Sequence, residues 1–303
     1  MTTGSGALPA RPRVVRTLLL SSRPLSWVNT AYPFGAAYVV ATGRLDLSFW
    51  IGTVFFLVPY NLAMYGINDV FDYESDMRNP RKGGVEGAVL DPGLHRVTLW
   101  SAVLLCIPFV LYLALVGTVA SNLTLAVSLF AVGAYSWRGL RFKEVPFLDS
   151  LTSSVHFVSP AVFALMLAGT AWTVPIILVM LAYLLWGIAS HAFGAVQDII
   201  ADRAGGLQSI ATVLGAARTA RFAIGGYTLS IAALLLAAAL SGQHAVLLAI
   251  AAVLVVPYLA MVWPFRSLPD AECEQANRGW RRFLAINFVV GFGVTMLLIV
   301  SVL

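Results

Sequence analysis

The chain alternates between long apolar runs and short polar segments. Runs of about twenty apolar residues cross the hydrocarbon core of a bilayer as α-helices. The pattern therefore predicts an all-α, polytopic membrane bundle, with a tail over residues 1–24 and a single domain over residues 25–303. The nine predicted transmembrane helices cover residues 25–42, 49–72, 98–117, 121–137, 150–168, 173–196, 222–240, 244–263 and 283–302.

The composition agrees with a membrane protein. Apolar residues make up 59% of the chain and charged residues 11%, whereas about a quarter of the residues in a soluble domain are charged. The N-terminal segment has no short apolar core followed by a small-residue cleavage site, so we interpret it as a cytoplasmic tail. The two cysteines, Cys106 and Cys273, fall at different predicted depths, and we expect no disulfide between them.

The charged residues are distributed unevenly between the two predicted sides. With the N-terminus inside, 18 of the 19 Lys and Arg residues fall inside and only Arg44 falls outside. The positive-inside rule then predicts an integral cell-membrane protein with its N-terminus in the cytoplasm and its C-terminus outside. This also explains the net charge of +5 without a nucleic-acid partner. Asp46 is the one acidic residue of 14 predicted outside, so the reactive groups lie on the cytoplasmic side, which argues against a small-molecule transporter.

One stretch, residues 61–82, begins within an apolar segment and ends in acidic and basic residues. As a helix it advances about 100° per residue, which places two amides and three carboxylates on one face: Asn61, Asn68, Asp69, Asp72 and Asp76. Clustered carboxylates repel one another, and Mg²⁺, which prefers oxygen ligands, removes that repulsion. We therefore predict that the three aspartates bind Mg²⁺.

Neighbouring residues of this stretch suit a diphosphate substrate. Arg81 and Lys82 follow the aspartates and can bind an anion. Tyr65 shares the face of Asn61 and Asp72, so its ring is positioned either to stabilise a cation or to pack. Asn61 is predicted to contact substrate, with an interhelical hydrogen bond as the alternative.

A second acidic pair follows the sixth apolar run. Asp198 and Asp202 are spaced i, i+4, with His191 two turns earlier on the same face. Two aspartate helices that end at one membrane face can hold a metal pair between them, which bridges a diphosphate leaving group. The loop of residues 135–149 adds Arg141 and Lys143 as candidate phosphate ligands. His191 is a candidate wall of the substrate site, and His156 is interpreted as a core histidine.

Three motifs carry a resemblance to a known family. N-D-x-x-D-x-x-x-D at 68–76, Y-S-x-x-x-x-R-x-K at 135–143 and D-x-x-x-D at 198–202 resemble the UbiA superfamily of intramembrane prenyltransferases. The resemblance implies nine helices around a central apolar chamber, two Mg²⁺ ions and an allylic diphosphate donor. It assigns Asn68 and the five aspartates to Mg²⁺–diphosphate. Gln197 stands where many members place Lys or Arg.

Within the superfamily, residues 22–34, 64–91 and 191–206 are most similar to the lycopene elongases of carotenoid biosynthesis. That branch implies transfer of a dimethylallyl group from dimethylallyl diphosphate to lycopene, followed by loss of a proton or uptake of water. Other lipophilic acceptors stay open, namely a quinone precursor, a glycerol-phosphate ether lipid or a chlorophyll precursor. The D-G-x-x-A-R signature of CDP-alcohol phosphotransferases is absent from the sequence.

Overall fold

A computed structural model describes residues 11–77 and 90–302 of the chain. These residues form an all-α bundle, as predicted. We number the helices in chain order and count Leu47–Phe71 as one helix: α1 (Arg11–Ser21), α2 (Val28–Thr42), α3 (Leu47–Phe71), α4 (Tyr73–Asp76), α5 (His95–Val116), α6 (Val119–Ser136), α7 (Leu148–Leu167), α8 (Val174–Ala195), α9 (Ile199–Ala204), α10 (Ile210–Leu214), α11 (Ala216–Leu240), α12 (Ala245–Val262) and α13 (Ala276–Val302).

The helices long enough to cross a membrane match the predicted spans. In the described part of the chain, eight helical segments have the length and hydropathy of a transmembrane helix. The ninth predicted span is α2, whose 15 residues extend over about 23 Å. It is shorter than the roughly 30 Å hydrocarbon core, and a 3-10 turn, Pro24–Ser26, precedes it. Within the predicted tail, α1 packs its Leu18 against the bundle.

The bundle has two apolar cores, one for each half of the chain. The first half comprises α2, α3, α5, α6 and α7, where Phe34 stacks near Phe56 and Phe163 with centroids 5.3 and 6.0 Å apart. The second half comprises α8, α11, α12 and α13, where the Tyr258 ring lies 5.4 Å from Trp186. Each core is packed through aromatic and aliphatic contacts within its own half. The cavity described below lies between the halves.

Helix α3 contains a π-helical turn, Leu62–Gly66. Just before it, Pro59 has no backbone N–H, and the Asn61 side chain donates to the carbonyl oxygens of Phe56 and Leu57 at 2.8 and 3.1 Å. A π turn inserts about one residue, so it rotates the helix on either side of it by roughly 100° relative to an ideal α-helix. The face that we predicted from a uniform helical count therefore breaks at this turn.

One polar cluster joins the ends of four elements near the second aspartate motif. The Asp270 carboxylate accepts from Arg203 Nη1 and from the backbone N–H of Ala216, both at 2.7 Å. Arg203 also donates to the carbonyl oxygen of Thr212 at 2.6 Å. Asp270 therefore ties α9, α10 and the first turn of α11 to the segment before α13.

We expect Asp270→Ala to lower the thermal unfolding midpoint, because it removes the acceptor of the Ala216 N–H and of Arg203 Nη1. The loss should be about 1–2 kcal/mol of stability, measured as the midpoint shift of detergent-purified protein. Glu272→Gln is the matched control on the same turn, since Glu272 is exposed and accepts from Gln275 within that turn. Equal midpoints for the two variants would contradict this role of Asp270.

Candidate active site

A cavity of about 3240 Å³ lies between the two halves of the bundle and matches the predicted central chamber. The cavity walls follow the chain from Thr173, along α8, to Asp198 in the 3-10 turn after it, a distance of about 37 Å at the helical rise. Apolar side chains form most of the wall at depth, among them Leu165, Val179 and Ala251. We call the charged end of the cavity the aspartate mouth; it is lined by Arg23, Asn68, Asp72, Arg141, Lys143, Asp198 and Asp202.

Asp72 is the centre of the first wall of the aspartate mouth. It lies at the end of α3, is 8% exposed and accepts from Lys143 Nζ. Its Oδ1 also lies 3.8 Å from Arg141 Nη2. Beside it, Asn68 Oδ1 accepts from Ser136 Oγ at 2.9 Å. The loop before α7 and the end of α6 are thereby joined to the predicted N-D-x-x-D motif.

Asp69 lies behind this wall rather than on it. It is 1% exposed, does not line the cavity and accepts from Arg23 Nη2 through Oδ1 at 3.1 Å. The Arg23 guanidinium also lies over the Tyr65 ring, 4.3 Å from its centroid. Tyr65 therefore lines the cavity with a cation already stacked on its ring, and Asp69 is oriented toward Arg23.

Two cations of the mouth have unusual backbone conformations. Arg23 and Arg141 have φ of 50° and 42°, in the left-handed region that non-glycine residues rarely adopt. Both side chains are directed at aspartates of the first motif. Such strain costs about 1–3 kcal/mol per residue and is often found at functional sites, so it is consistent with the position of both arginines at the mouth.

Lys143 is the most buried cation of the mouth, with 11% of its side chain exposed. Burial lowers its pKa from the ordinary value of 10.5 to about 8, while the carboxylates of Glu144 and Asp69 act in the opposite direction. Near neutral pH the ammonium is therefore charged and paired with Asp72. A partly desolvated ammonium of this kind is suited to bind a phosphate oxygen.

The second motif forms the opposite wall of the mouth. Asp198 ends a 3-10 turn, Val196–Asp198, and Asp202 lies in α9, and both line the cavity. Gln197 is turned toward α13, where its Oε1 accepts from Asn277 Nδ2 at 2.6 Å. Its Nε2 donates to the carbonyl oxygen of Gly194 at 3.0 Å. Gln197, at the position where the resemblance led us to expect Lys or Arg, is thus hydrogen-bonded within the protein.

The donor set of the mouth fits a magnesium–diphosphate group. Carboxylates of Asp72, Asp198 and Asp202 face one cavity from two walls, and carboxylate oxygens are the ligands Mg²⁺ prefers. Within the described residues, no three His, Cys, Asp or Glu side chains converge on a point by themselves. A metal here would therefore share its coordination between the protein and phosphate oxygens, as Mg²⁺ commonly does.

His191 lies on the cavity wall, where the sequence analysis placed it. Its Nδ1 pairs with Ser150 Oγ and its Nε2 with the Tyr135 hydroxyl, both at 3.1 Å. Both ring nitrogens are thus used within the protein. The arrangement favours a positioning role, in which His191 holds the Tyr135 ring against the cavity.

The prediction that Asn61 contacts substrate is wrong for this structure. Asn61 is fully buried, does not line the cavity and donates to Thr30 Oγ1 at 2.7 Å. The π turn of α3 rotates it away from Asn68 and Asp72. The alternative, an interhelical hydrogen bond, describes the residue correctly.

Three other predicted site residues fall outside what the structure describes. Arg81 and Lys82 lie in the undescribed segment 78–89, and Asp76 ends α4 with its side chain undescribed. Their predicted roles in metal and phosphate binding stay predictions.

The sequence analysis missed some residues that the fold brings to the mouth. Arg23 was counted only for membrane orientation, although it immediately precedes the first apolar run. Ser136 and Tyr135 end α6 and reach Asn68 and His191 respectively. The motif Y-S-x-x-x-x-R-x-K contained both of them, so their spacing to Arg141 and Lys143 was the available signal.

Comparison with known proteins agrees with this geometry. A sequence profile of the UbiA prenyltransferase family matches residues 30–296. The chain belongs to the UbiA prenyltransferase family. This UbiA protein is therefore an enzyme, a prenyltransferase integral to a membrane.

Relatives of this UbiA prenyltransferase have names that refer to carotenoid biosynthesis or to lycopene. It is 54% identical to the C(50) beta-cyclic carotenoids biosynthesis protein LbtBC of Dietzia sp. strain CQ4, over 97% of this chain and 67% of that protein. It is 51% identical to the lycopene elongase/hydratase of Corynebacterium glutamicum, over 94% of this chain and 97% of that protein. The lycopene elongase/hydratase of Halobacterium salinarum is 33% identical over 93% of this chain and 96% of that protein.

Solved structures share the fold of this UbiA prenyltransferase at low sequence identity. A UbiA homologue from Archaeoglobus fulgidus, solved with GPP and Mg²⁺, superposes with a TM-score of 0.66 at 17% identity, over 90% of this chain and 98% of that one. A UbiA homologue from Aeropyrum pernix K1 gives 0.64 at 20% identity, over 88% and 97%. The all-α membrane bundle of the described residues is thus the family fold.

We expect Asn61→Ala to lower stability and Asn68→Ala to lower activity. The first change removes the Nδ2 amide that lies within hydrogen-bond distance of Thr30 Oγ1 and the carbonyl oxygens of Phe56 and Leu57, at a cost of about 1–3 kcal/mol, and leaves the mouth intact. The second removes the acceptor of Ser136 at the mouth. Thermal midpoints and prenyl-donor KM values of both purified variants separate the two effects. A raised KM in Asn61→Ala at an unchanged midpoint would restore the substrate-contact role.

Proposed function

We propose that this enzyme transfers a dimethylallyl group from dimethylallyl diphosphate to an end of lycopene in a Mg²⁺-dependent reaction. The observation that carries the proposal is one cavity that joins a charged mouth to a long apolar chamber. An allylic diphosphate has a charged head and a short apolar tail, and lycopene is a linear forty-carbon hydrocarbon. The cavity offers a matching environment to each.

The donor's head group fits the mouth. Asp72, Asp198 and Asp202 would hold two Mg²⁺ ions, with Asp69 and Asp76 as the remaining predicted ligands. When bound, the metal would neutralise the charge that develops on the leaving diphosphate. Arg23, Arg141 and Lys143 line the same space and would bind phosphate oxygens directly, the arginines through two N–H groups at once.

The acceptor fits the deep part of the cavity. Several polar side chains of the deep wall already have protein partners: Tyr258 donates to Asn287 Oδ1 at 2.7 Å, and Ser230 donates to the carbonyl oxygen of Ala182 at 2.8 Å. The wall therefore presents few polar groups to an acceptor, which suits a hydrocarbon better than a phosphorylated or phenolic one. The names of the relatives in Dietzia and Corynebacterium support the same assignment.

The residues of the mouth would also orient the donor for reaction. The cations hold the diphosphate at the end of the cavity, so the allylic carbon is directed toward the apolar chamber. The Tyr135 ring lines the cavity beside this position, where an aromatic face can stabilise positive charge, whereas the Tyr65 ring already has the Arg23 guanidinium over it. The apolar wall excludes water from the allylic cation until the acceptor's terminal double bond attacks it.

We also infer the orientation of the enzyme in the membrane from its charges. With the N-terminus and the mouth in the cytoplasm, 18 of 19 Lys and Arg residues lie inside. A water-soluble diphosphate would then enter from the cytoplasm, and the acceptor would come from the bilayer. Labelling of cysteines introduced in the loops, with intact cells, tests this orientation.

We expect purified enzyme in lipid to form longer carotenoids from dimethylallyl diphosphate and lycopene only when Mg²⁺ is present. Asp72→Asn should lower turnover at least about 100-fold, because it removes a charged oxygen donor facing the diphosphate. Glu272→Gln is the control, the same change at an exposed carboxylate outside the cavity. Supplying a quinone precursor, a glycerol-phosphate ether lipid and a chlorophyll precursor in parallel tests the other acceptors. Unchanged turnover of Asp72→Asn, or activity in excess chelator, would contradict the mechanism.

We expect Ala251→Phe to block long acceptors selectively. Ala251 lines the cavity on α12, about 17 Å from the end of that helix at the mouth, so the added ring obstructs the deep chamber. Turnover with lycopene should fall at least tenfold, whereas a ten-carbon alkene with the same dimethyl end group should react as in the wild type. Val253→Phe is the matched control, because Val253 is 64% exposed on the outer surface of the same helix. Equal losses for both acceptors would contradict a deep acceptor site.

A further inference from the structure

His156 has a ring nitrogen that no protein group satisfies. It lies in α7, is 2% exposed and lines the cavity. Within the described part of the chain, its Nε2 has no hydrogen-bond partner. His191, the other histidine of this wall, has both nitrogens paired. A buried polar atom without a partner is costly, and its retention points to a ligand or a reaction.

The tautomer of His156 leaves the unpaired nitrogen as an acceptor. The Ala131 backbone lies within reach of the ring as an acceptor, and Nε2 has no partner among the described residues. A neutral ring with its proton on Nδ1 fits this arrangement, because a carbonyl oxygen can only accept. In the neutral ring, Nε2 then keeps a lone pair without a protein partner, on a residue that lines the cavity. This lone pair can accept a proton from a substrate or a water molecule.

The position of His156 places this lone pair just below the mouth. Its ring packs edge-on against Tyr135, with centroids 5.2 Å apart. Tyr135 precedes Ser136, which donates to Asn68 in the mouth. Along α7, His156 lies eight residues from the end at Leu148, or about 12 Å deeper in the bundle. A short prenyl tail attached to a diphosphate in the mouth extends into this region.

The proposed reaction releases a proton within the cavity, so it needs a proton acceptor there. The allylic C–O bond breaks with its electron pair on the diphosphate, and the π electrons of the acceptor's terminal double bond form the new C–C bond. The adjacent carbon becomes a tertiary cation. It either loses a proton from a neighbouring carbon to give an alkene, or takes up water, whose oxygen then loses a proton to give an alcohol. Either route releases one proton within the cavity.

We propose that His156 Nε2 is the catalytic base that accepts this proton at the end of prenyl transfer. The inference rests on the proposed function, because the proton comes from the cation formed on the acceptor. The proton then leaves to water when the product departs. Asp72, Asp198 and Asp202 are occupied by the diphosphate and its metal in the proposed complex. Three further carboxylates line the cavity: Glu144 is paired with Arg141, Asp149 accepts from the backbone N–H groups of Ser150 and Ile210, and Glu74 is exposed to solvent. Both nitrogens of His191 are paired, so His156 is the imidazole of this wall with a nitrogen available.

His156→Phe and His156→Gln test the proposal in complementary ways. Phenylalanine keeps the ring volume and its contact with Tyr135 but has no lone pair, and glutamine can hold water but does not act as a base. Both variants should lose at least about tenfold in kcat, within the usual range for general-base catalysis, with the KM for dimethylallyl diphosphate changed less than twofold. The ratio of alkene to tertiary alcohol ends in the residual product should also change. His95→Phe is the matched control, since His95 does not line the cavity.

The outcomes separate this inference from the proposed function. If the wild type and His95→Phe fail to elongate lycopene, the acceptor assignment fails, and the His156 variants are then compared on whichever acceptor the wild type uses. If either His156 variant elutes as folded protein and keeps wild-type kcat and product ratio, the base assignment is overturned. A raised KM at unchanged kcat would assign His156 to binding and would overturn it as well.

Discussion

The structure depends on the pairing of opposite charges at one end of an apolar bundle. Carboxylates near a membrane interior are costly unless a cation accompanies them. Here Asp69 pairs with Arg23, and Asp72 pairs with Lys143 and approaches Arg141. These pairs connect the segment before α2, the end of α3 and the loop before α7. The same groups that stabilise this end of the bundle are those that suit a metal and a diphosphate, so in the proposed function folding and substrate binding would use one set of charges.

The division of the bundle into two cores explains how the cavity extends so deep. Each half packs its own aromatic residues, and the halves meet around a space that polar residues line at the mouth and mostly apolar residues line below. A charged leaving group stays at the polar end, whereas a cation formed beyond it is surrounded by hydrocarbon and aromatic rings. The gradient in polarity along one cavity separates ionisation of the donor from its transfer to the acceptor.

Local irregularities place the reactive side chains. The π turn in α3 rotates the aspartate end of that helix relative to its apolar part. The left-handed conformations of Arg23 and Arg141 direct two guanidinium groups at the first motif. A regular helix followed by regular loops would present these groups in other directions. These irregular conformations are higher in energy than regular ones, and the packing of the two cores stabilises the fold that contains them, as is common at active sites.

The sequence by itself determined the membrane class, the all-α fold, the approximate position of nine helices and the identity of both aspartate motifs. These features follow from local properties, namely runs of apolar residues and the spacing of charges along one chain. It also selected Lys143 and Arg141 as candidate phosphate ligands, because both lie with Tyr135 in one short motif. Only the tertiary structure decided that Asn61 supports α2 through Thr30 instead of contacting substrate, and that Arg23 covers Asp69. It also decided that His156 lines the cavity with one ring nitrogen that has no partner among the described residues. Each of these depends on where another element packs, and a uniform helical count cannot foresee a π turn or the partner of a buried side chain.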